Sequence, residues 1–354
     1  MTVPSTVNEG LGAFLAATAP KDLARVLTAL ADASIEVASR IRRGPLGGAL
    51  HADVGPDHDG VAQKALDVFA DQAFIGALKG SGVRGVVSEE REDFVALDSD
   101  GTFLVAIDPL DGSSNIEANI TIGTIFSVLD APPGTLEAAH FLQRGTRQRA
   151  AGIFVYGPHI DFAFTIGHGV SVATLDPEDG VYRITTRRVE MPQASSVFSI
   201  NAANARHWKA PVRSYIEDLV EGEEGPRGRN FNMRWVGSMI AEVYCTLLSG
   251  GVYLYPEDSR EGYENGRLRL LYEASPVALL IEQSGGAAID GYRPILTIEP
   301  ESIHVRSPLI FGSKDKVERV ARYYGDEGEA RLPPPVREAR PHAPVTFGGA
   351  RHVH

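Results

Sequence analysis

Cysteine is almost absent from this sequence: Cys245 is the single example among 354 residues. One cysteine cannot form an intrachain disulfide, which excludes a disulfide-stapled secreted fold and is typical of a cytoplasmic protein. Cys245 lies in an apolar, helix-like stretch at 243–247. We therefore expect it to be a buried packing residue and not a nucleophile.

Positive charge is also scarce, because 34 lysines and arginines face 46 aspartates and glutamates and leave a net charge of −12. This balance argues against a nucleic acid partner, and an anionic ligand would need cations to approach so acidic a protein. A third absence is any apolar run long enough to cross a bilayer, and residues 1–4 do not begin a signal peptide. We expect no membrane segment and a cytoplasmic location.

The apolar residues that are present predict an α/β protein with two lobes. Their spacing predicts a helix over 21–43, ended by Gly44, and a second helix over about 61–79. Strand patterns fill about 117–190, and beyond 191 the pattern predicts helices near 211–220 and 237–249. We expect an N-terminal lobe at 1–190, a C-terminal lobe at 191–325 and a disordered, proline-rich tail at 326–354.

Residues 44–60 are rich in glycine, proline, histidine and aspartate, and this composition predicts a mobile loop. The loop precedes a helix that carries Asp67, so it could serve as a lid over a site. The alternative is a flexible connector. Asp67 itself lies one position off the apolar stripe of its helix, and by pattern alone it would be a solvated charge.

The most informative segment is Ile107-Asp108-Pro109-Leu110-Asp111-Gly112-Ser113-Ser114-Asn115, which follows the apolar strand pattern of 103–106. Ligand sites of open α/β sheets lie just beyond the carboxyl ends of strands. Carboxylates there can hold hard cations such as Mg²⁺, and a Gly-Ser-Ser turn offers backbone N–H groups and hydroxyls to a phosphate. A plain turn is the alternative, whereas a calcium loop of the EF-hand type fails on the spacing of Gly112.

Two further acidic positions end strand-like segments. Residues 83–87 read as a strand that delivers Ser88-Glu89-Glu90, although these glutamates could also belong to a solvated charge run at 89–93. Residues 266–273 read as a strand that carries Arg267 and Arg269 on one side and ends in Glu273. A helix should then start with Ser275 as cap and Pro276 at its first helical position. Carboxylates and guanidinium groups together suit a phosphate bridged to metals, or else form a surface ion-pair ladder.

Taken together, these motifs resemble class I fructose-1,6-bisphosphatase. Ser88-Glu89-Glu90, the run 108–115 continuing through Gly123-Thr124-Ile125-Phe126, Val236-Gly237-Ser238-Met239, Leu254-Tyr255-Pro256 and 268–273 come in the family order between about 20 and 325. Related phosphatases that act on inositol phosphates also carry Asp-Pro-x-Asp-Gly but typically continue with Thr. The resemblance implies a layered α-β-α-β-α sandwich and Mg²⁺-dependent hydrolysis of the 1-phosphate of fructose 1,6-bisphosphate, in gluconeogenesis or the Calvin cycle.

The resemblance also implies roles for individual residues. Two or three Mg²⁺ ions, which Mn²⁺ could replace, would be held by Glu89, Glu90, Asp108, the carbonyl of Leu110, Asp111 and Glu273. Asp67 and Glu90 would activate the attacking water. The cleaved phosphate would contact Gly112, Ser113, Ser114 and Arg269, and the sugar with its 6-phosphate would contact Asn201, Arg234, Tyr255 and Arg267. Arg234 would reach into a neighbouring subunit, which implies a homo-oligomer, by family resemblance a tetramer.

Several positions depart from the family pattern. Arg267 stands in place of Lys, and Asn204 and Trp235 stand in place of Tyr, so a seven-carbon bisphosphate such as sedoheptulose 1,7-bisphosphate becomes a candidate second substrate. Thr102-Phe103 replaces the Lys-Tyr pair of the vertebrate AMP site, which argues against inhibition by AMP. Two other functions stay open, an inositol monophosphatase and a non-catalytic phosphate sensor. The basic set at 234, 267 and 269 argues against the first, and the complete set of acidic ligands against the second.

Overall fold

The structure is a computed structural model that describes residues 8–48, 52–56 and 62–325. Parts of the expected lid, at 49–51 and 57–60, and the tail at 326–354 lie outside these residues, so the predictions for them stay predictions. No helix in the described ranges is long and apolar enough to span a membrane.

Seven α-helices are found in the described ranges. They are α1 (Leu11–Thr18), α2 (Lys21–Arg43), α3 (Ala65–Leu78), α4 (Ala210–Val220), α5 (Met239–Ser249), α6 (Ser275–Gln283) and α7 (Lys314–Gly325). The prediction for α2 is confirmed at both ends, since Gly44 adopts a positive φ of 48° that ends the helix. The second predicted helix starts later than expected, because a short strand occupies the residues before Ala65.

The strands form two main sheets and two small ones. One small sheet pairs β1 (Asp53–Pro56) with β2 (Ala62–Lys64). The large sheet contains β3 (Val83–Ser88), β4 (Val95–Ala96), β5 (Phe103–Asp111), β6 (Ile122–Asp130), β7 (Ala150–Tyr156), β8 (Ile160–Thr165), β9 (Val170–Leu175) and β10 (Tyr182–Val189). The second main sheet contains β11 (Val197–Ser199), β12 (Asn232–Met233), β13 (Val252–Tyr255), β15 (Gly286–Ile289) and β17 (Leu309–Ser313), and the other small sheet pairs β14 (Leu268–Arg269) with β16 (Arg306–Ser307).

The order of strands in the large sheet is β10-β9-β8-β7-β6-β5-β3-β4. Its neighbours pair antiparallel with one exception among the described strands, because β3 and β5 run parallel. The carboxyl ends of β3 and β5 therefore meet at the same edge of the sheet. In the second sheet, ordered β12-β11-β13-β17-β15, the first three strands are also parallel to one another.

Alternating side chains bury both faces of each sheet and stack five layers. Phe126 and Phe154 point to the face covered by α1, α2 and α3, whereas their neighbours Ile125 and Ile153 pack against α5 and α6. The same middle layer of helices covers one face of the second sheet, and α4 and α7 cover its outer face. The predicted α/β class and the layered α-β-α-β-α sandwich are confirmed.

Three local expectations are wrong, each for a physical reason. Cys245 is exposed, because it lies on the outer side of the amphipathic α5 while Val243 and Leu247 face the core. Ser275 is not a helix cap, because the chain enters α6 already helical at Ala274 (φ −66°). The predicted strand at 266–273 ends at Arg269, and a five-residue π-helix, Leu270–Ala274, follows it.

We predict that Gly123→Ala lowers the free energy of unfolding. A Cβ at this position would lie 2.2 Å from the Phe154 carbonyl oxygen and 2.8 Å from Ile240 Cγ2, and strand backbone cannot move away cheaply. Overpacking of this kind costs about 1–3 kcal/mol, which urea denaturation measures.

The matched control is Gly76→Ala in α3, where a new Cβ meets nothing within 4 Å. This variant should unfold like the unmodified chain or gain up to about 1 kcal/mol from better helix propensity. Equal unfolding free energies for both alanine variants would contradict the close packing inferred at Gly123.

Candidate functional site

A bulge in β5 brings Asp108 and Asp111 to the same side of the large sheet. In a regular strand, residues three apart point to opposite faces. Here Asp108 pairs with Ile125 and Asp111 with Gly123, so three steps on β5 match two on β6. One extra residue in a strand shifts the following side chains to the other face, so both carboxylates end on one side.

The bulge is held by its own hydrogen bonds. Pro109 has no N–H to offer, and its carbonyl accepts a hydrogen bond from Thr124 Oγ1 at 2.8 Å. The backbone N–H of Leu110 donates to Asp108 Oδ1 at 3.0 Å. Leu110 is therefore a buried part of the bulge, and the role expected of its carbonyl stays a prediction.

Glu273 reaches the same place from the other lobe through the π-helix. The wide π turn after Arg269 folds the Glu273 side chain back, so that its carboxylate accepts a hydrogen bond from the Arg269 backbone N–H. π turns within helices are frequent at functional sites, because the extra residue re-aims a side chain. A sequence pattern of alternating residues cannot distinguish this turn from the strand predicted there.

Asp108, Asp111 and Glu273 form an acidic cluster suited to a cation. Each offers a carboxylate oxygen, and these oxygens all lie within 4.8 Å of one another. Asp108 is 1% exposed and Glu273 is 6% exposed. Burying three like charges so closely is costly unless protons or a cation compensate, and hard carboxylate oxygens are the ligands that Mg²⁺ and Ca²⁺ prefer.

Glu89 and Glu90 follow β3, and they come to this cluster because β3 runs parallel to β5. The Glu89 side chain hydrogen-bonds the side chain of Asp108, a contact that requires one of the two carboxyl groups to hold a proton. Both glutamates are half-buried, whereas Glu92 and Asp93 beyond them are exposed. The charge run considered for 89–93 therefore begins only after Arg91.

Burial raises the pKa of Glu89, Asp108, Asp111 and Glu273, and the charges of neighbouring acids raise it further for all of them except Asp111. Burial is the main cause for Glu89 and Asp108, followed by the charges of the neighbouring acids, and both pKa values lie well above the ordinary range. Burial raises the pKa of Asp111 to about 6, although a hydrogen bond from the backbone N–H of Ile240 opposes it. Burial and Asp111 raise the pKa of Glu273 to about 8. Acids that hold protons near neutral pH indicate a site completed by a cation.

Asp67 is buried, contrary to its pattern as a solvated charge. It is 3% exposed in the first turn of α3, where Oδ2 accepts a hydrogen bond from the Lys64 backbone N–H at 2.7 Å. One turn later on the same helix face, Asp71 accepts from Ser88 Oγ at 2.7 Å and from Arg91 Nε at 2.8 Å. The face of α3 that carries Asp67 thus packs against the turn that carries Glu89 and Glu90.

A second contact fixes that turn from the opposite side. His304 Nε2 lies 3.0 Å from the Glu92 carbonyl oxygen, which can only accept, so this nitrogen donates. In the neutral ring Nδ1 then accepts from the Tyr272 hydroxyl at 2.7 Å. Tyr272 belongs to the π-helix that carries Glu273, so the two acidic segments are linked through one imidazole.

The turn after Asp111 has the geometry of an anion cradle. Gly112 adopts a positive φ of 88°, and a short 3₁₀ turn, Ser113–Asn115, follows it. Asn115 Nδ2 donates to the Gly237 carbonyl at 2.9 Å, which ties this turn to the start of α5. Ser113 is half-buried and Ser114 exposed, and both follow Asp111 directly in this turn.

Arg269 is a buried cation beside the acids. It is 6% exposed, its Nη1 lies 3.4 Å from the His304 carbonyl oxygen, and its charge lowers the pKa of Glu273 against the larger effect of burial. A buried guanidinium next to a cation site is suited to a phosphate, which needs positive charge from both sides.

Three of the expected sugar-side residues follow neighbouring parallel strands. Asn201 and Tyr255 extend from paired residues of β11 and β13, and the Arg234 backbone N–H donates to the Phe198 carbonyl at 2.9 Å. They therefore lie at one edge of the second sheet. The side chain of Asn201 caps the 3₁₀ helix Ala202–His207 through Ala203, whereas Arg234 is exposed.

Arg267 joins this group through aromatic residues. Its guanidinium lies 4.7 Å from the centre of the Tyr263 ring, and it opposes the rise in the pKa of Tyr255 that burial causes. Glu273 adds to that rise, which places Tyr255 within the field of the acidic cluster. Trp235 stacks on Tyr253 at 6.0 Å with an interplanar angle of 7° and lies 6.3 Å from the Tyr255 ring.

Three residues of the site were not predicted: Asp71, Tyr263 and His304. The signal for Asp71 is its position four residues after Asp67, which places both on one helix face. No local pattern indicates Tyr263 or His304, because their partners lie on segments that only the fold brings close.

We predict that a divalent cation stabilises the protein more at high pH than at low pH. The folded pKa values of Asp111 (about 6) and Glu273 (about 8) exceed their ordinary values of 3.8 and 4.5. Between the ordinary and the raised values the folded chain binds more protons than the unfolded chain, so the unfolding free energy of the metal-free protein falls as pH rises. A cation that binds the deprotonated acids reverses this loss.

Thermal unfolding in chelator and in excess Mg²⁺, near the two raised pKa values, tests this expectation. The shift in Tm caused by Mg²⁺ should be larger at the higher pH. Glu273→Gln, which removes one charge and keeps the shape, should reduce the shift. A shift equal at both pH values would contradict the link between protonation and cation binding.

Comparisons with known proteins agree with this geometry. Two family models match the chain, "Fructose-1-6-bisphosphatase, N-terminal domain" over residues 5–187 and "Fructose-1-6-bisphosphatase, C-terminal domain" over residues 191–325. The class 1 fructose-1,6-bisphosphatase of Paracoccus denitrificans is 50% identical over 305 residues, which cover 86% of this chain and 91% of that protein. The class 1 enzyme of Methylorubrum extorquens is 50% identical over 303 residues, covering 86% and 87%.

Solved structures are similar as well. The holo form of Leishmania major fructose-1,6-bisphosphatase matches with a TM-score of 0.85 and 32% identity, covering 92% of this chain and all of that one. Its apo form matches with a TM-score of 0.79 and 30% identity. With both family models matched and half of the aligned residues identical to curated relatives, this chain belongs to the class I fructose-1,6-bisphosphatase family, whose members depend on metal ions.

Proposed function

We propose that this protein hydrolyses the 1-phosphate of fructose 1,6-bisphosphate to give fructose 6-phosphate and inorganic phosphate. The observation that carries the proposal is the convergence of Asp108, Asp111 and Glu273 within 4.8 Å beside the buried Arg269. A cation and a guanidinium facing one another match the charge of a phosphoryl group that is being transferred. The names and identity of the relatives support the same reaction.

Mg²⁺ is the cation we propose, two or three per subunit, with Mn²⁺ as a substitute. Glu89, Glu90, Asp108, Asp111, Glu273 and the carbonyl of Leu110 would hold it, and all but one of these ligands are carboxylates. When bound, Mg²⁺ polarises the phosphoryl group, lowers the pKa of a water and stabilises the leaving alkoxide. The protein contributes the bulge, the parallel strands and the π-helix that hold its ligands at one point.

Asp67 and Glu90 would orient the attacking water and accept its proton. Supporting this, Asp67 lies on the face of α3 that packs against the turn of Glu90, and Asp71 holds that turn in place. The turn that carries Glu90 is held from two sides, by Asp71 and by His304. A carboxylate on such a turn is a better general base than one on a free loop, because it is already oriented. No covalent intermediate is required.

The substrate would be held at both phosphates. Gly112, Ser113, Ser114 and Arg269 would contact the phosphate that is cleaved, and Asn201, Arg234, Tyr255 and Arg267 the sugar and its 6-phosphate. The three arginines Arg234, Arg267 and Arg269 favour a bisphosphate over an inositol monophosphate, since a second phosphate explains their surplus of positive charge. The complete set of acids favours an enzyme over a phosphate sensor.

We propose a homo-oligomer, a tetramer by family resemblance, in which Arg234 completes a neighbouring site. Arg234 is exposed, and Met233 and Val236 on either side of it are 49% and 48% exposed. Apolar side chains beside an exposed arginine are typical of a subunit interface. We further propose a cytoplasmic enzyme of gluconeogenesis or the Calvin cycle, with sedoheptulose 1,7-bisphosphate as a second substrate because Trp235 and Asn204 replace the usual tyrosines.

Glu90→Gln should lower kcat by about 10²–10⁴-fold, the usual contribution of a general base. Phosphate release from fructose 1,6-bisphosphate in Mg²⁺ measures it. Glu92→Gln is the control, because Glu92 is exposed two residues further along the same turn and has no proposed role. Near-normal turnover of Glu90→Gln would remove Glu90 from the mechanism.

Arg267→Gln should raise KM for fructose 1,6-bisphosphate by about tenfold or more and leave kcat nearly unchanged. The variant removes a charge-assisted contact to the phosphate that stays on the product, and such binding is equal in the ground and transition states. Arg293→Gln, an exposed arginine paired with Asp290, controls for the change in net charge. A fall in kcat at unchanged KM would instead place Arg267 at the reacting phosphate.

A further inference from the structure

A second group of basic residues lies on the outer layer of the C-terminal lobe, where the proposed reaction has no use for it. Arg227 and Arg229 belong to the loop after α4, and Lys316 belongs to α7. All three cations surround the ring of Phe231: the Cζ atoms of Arg227 and Arg229 and the Nζ of Lys316 lie 4.9, 4.7 and 5.6 Å from its centre. We call this group the Phe231 basic cluster.

Like charges are gathered in this cluster without an opposing ion pair. Within the described residues, Arg229 Nη2 donates to the Ser195 carbonyl at 2.9 Å, a neutral partner, and no carboxylate pairs with any of the three cations. Asp218, on the neighbouring α4, accepts a hydrogen bond from the hydroxyl of Tyr323 and forms no ion pair with the three cations within the described residues. The Asp315 carboxylate on α7 raises the pKa of Lys316, but this effect is smaller than the opposing effects of burial, Arg229 and Arg227.

Burial makes this arrangement costly for the unliganded protein. Lys316 is 4% exposed, and lysine is almost never buried so deeply unless its charge is compensated. The Arg227 side chain hydrogen-bonds the hydroxyl of Tyr215, a neutral partner that leaves the charge of Arg227 uncompensated. Burial and the charges of Arg229 and Arg227 lower the pKa of Lys316 to about 8. The rings of Phe231 and Tyr215 stabilise the cations in part, but ring contacts do not satisfy N–H donors.

We propose that the Phe231 basic cluster is a second anion site, separate from the acidic centre, that binds a phosphate group. Two guanidinium groups and one ammonium group lie within 5.6 Å of the centre of one ring, and this donor set matches the several oxygens of a phosphate better than the two of a carboxylate. A phosphate there would compensate the three charges. The occupant is inorganic phosphate or a small organic phosphate, which share this chemistry.

Equilibrium dialysis of the full chain with labelled inorganic phosphate, in chelator and at low salt, tests the proposal. The unmodified protein should bind one more phosphate per chain than the double variant Arg227→Gln/Lys316→Met. The single variant Arg229→Gln should bind at this site about tenfold or more weakly, because it loses a charge-assisted contact. Phenyl phosphate in place of inorganic phosphate identifies which kind of occupant binds more tightly.

Arg322→Gln is the matched control, because Arg322 is an exposed arginine on the same helix and outside the cluster. It should bind as many phosphates as the unmodified chain. Lys316→Met keeps the length of the side chain and removes repulsion, so the double variant should unfold at an unchanged or higher Tm without phosphate. Equal phosphate counts for the unmodified chain and the double variant, or an equal loss in Arg322→Gln, would overturn the proposal.

Discussion

The confinement of like charges is the constraint on which the rest of this structure depends. Three carboxylates have oxygens within 4.8 Å of one another, and Glu89 hydrogen-bonds one of them. Left to themselves these groups would separate or move into water, because each raises the pKa of the others. Three backbone devices prevent it: the bulge at Pro109–Leu110, the parallel pair β3–β5 and the π-helix before α6. Each is an irregularity that the regular sheet and helix around it hold in place.

Charge is sorted by layer in this fold. The large sheet and its π-helix neighbour supply the acids, whereas the arginines expected to grip phosphate come from the second sheet and from the strand β14. Aromatic residues fill the space between, with Trp235, Tyr253 and Tyr255 in contact. Low polarity between opposite charges strengthens their interaction across the boundary between the layers.

Periodic segments could be predicted from the sequence, and aperiodic ones could not. The helix Lys21–Arg43 was predicted at both ends because its apolar stripe is long and its last turn is followed by glycine. Four of the acids, Glu89, Glu90, Asp108 and Asp111, could be predicted from their positions at the ends of strands. The π-helix was read as a strand, because a single turn of it has no period of its own, and Asp67 gave no sign of burial because tertiary packing overrides a helix pattern. The prediction that Cys245 is buried was wrong for the opposite reason. Its neighbours in the sequence are apolar, but Cys245 lies on the exposed side of α5.

The contact between the two halves of the chain constrains how its sequence can evolve. Ile240, which opens α5, donates its N–H to Asp111 at 3.2 Å and packs its side chain where Gly123 leaves room. A donor from one half and an acceptor from the other therefore share a contact at the acidic cluster. Recombination that replaced either half with that of a distant homologue would have to preserve this contact. We therefore expect the two halves to be inherited together.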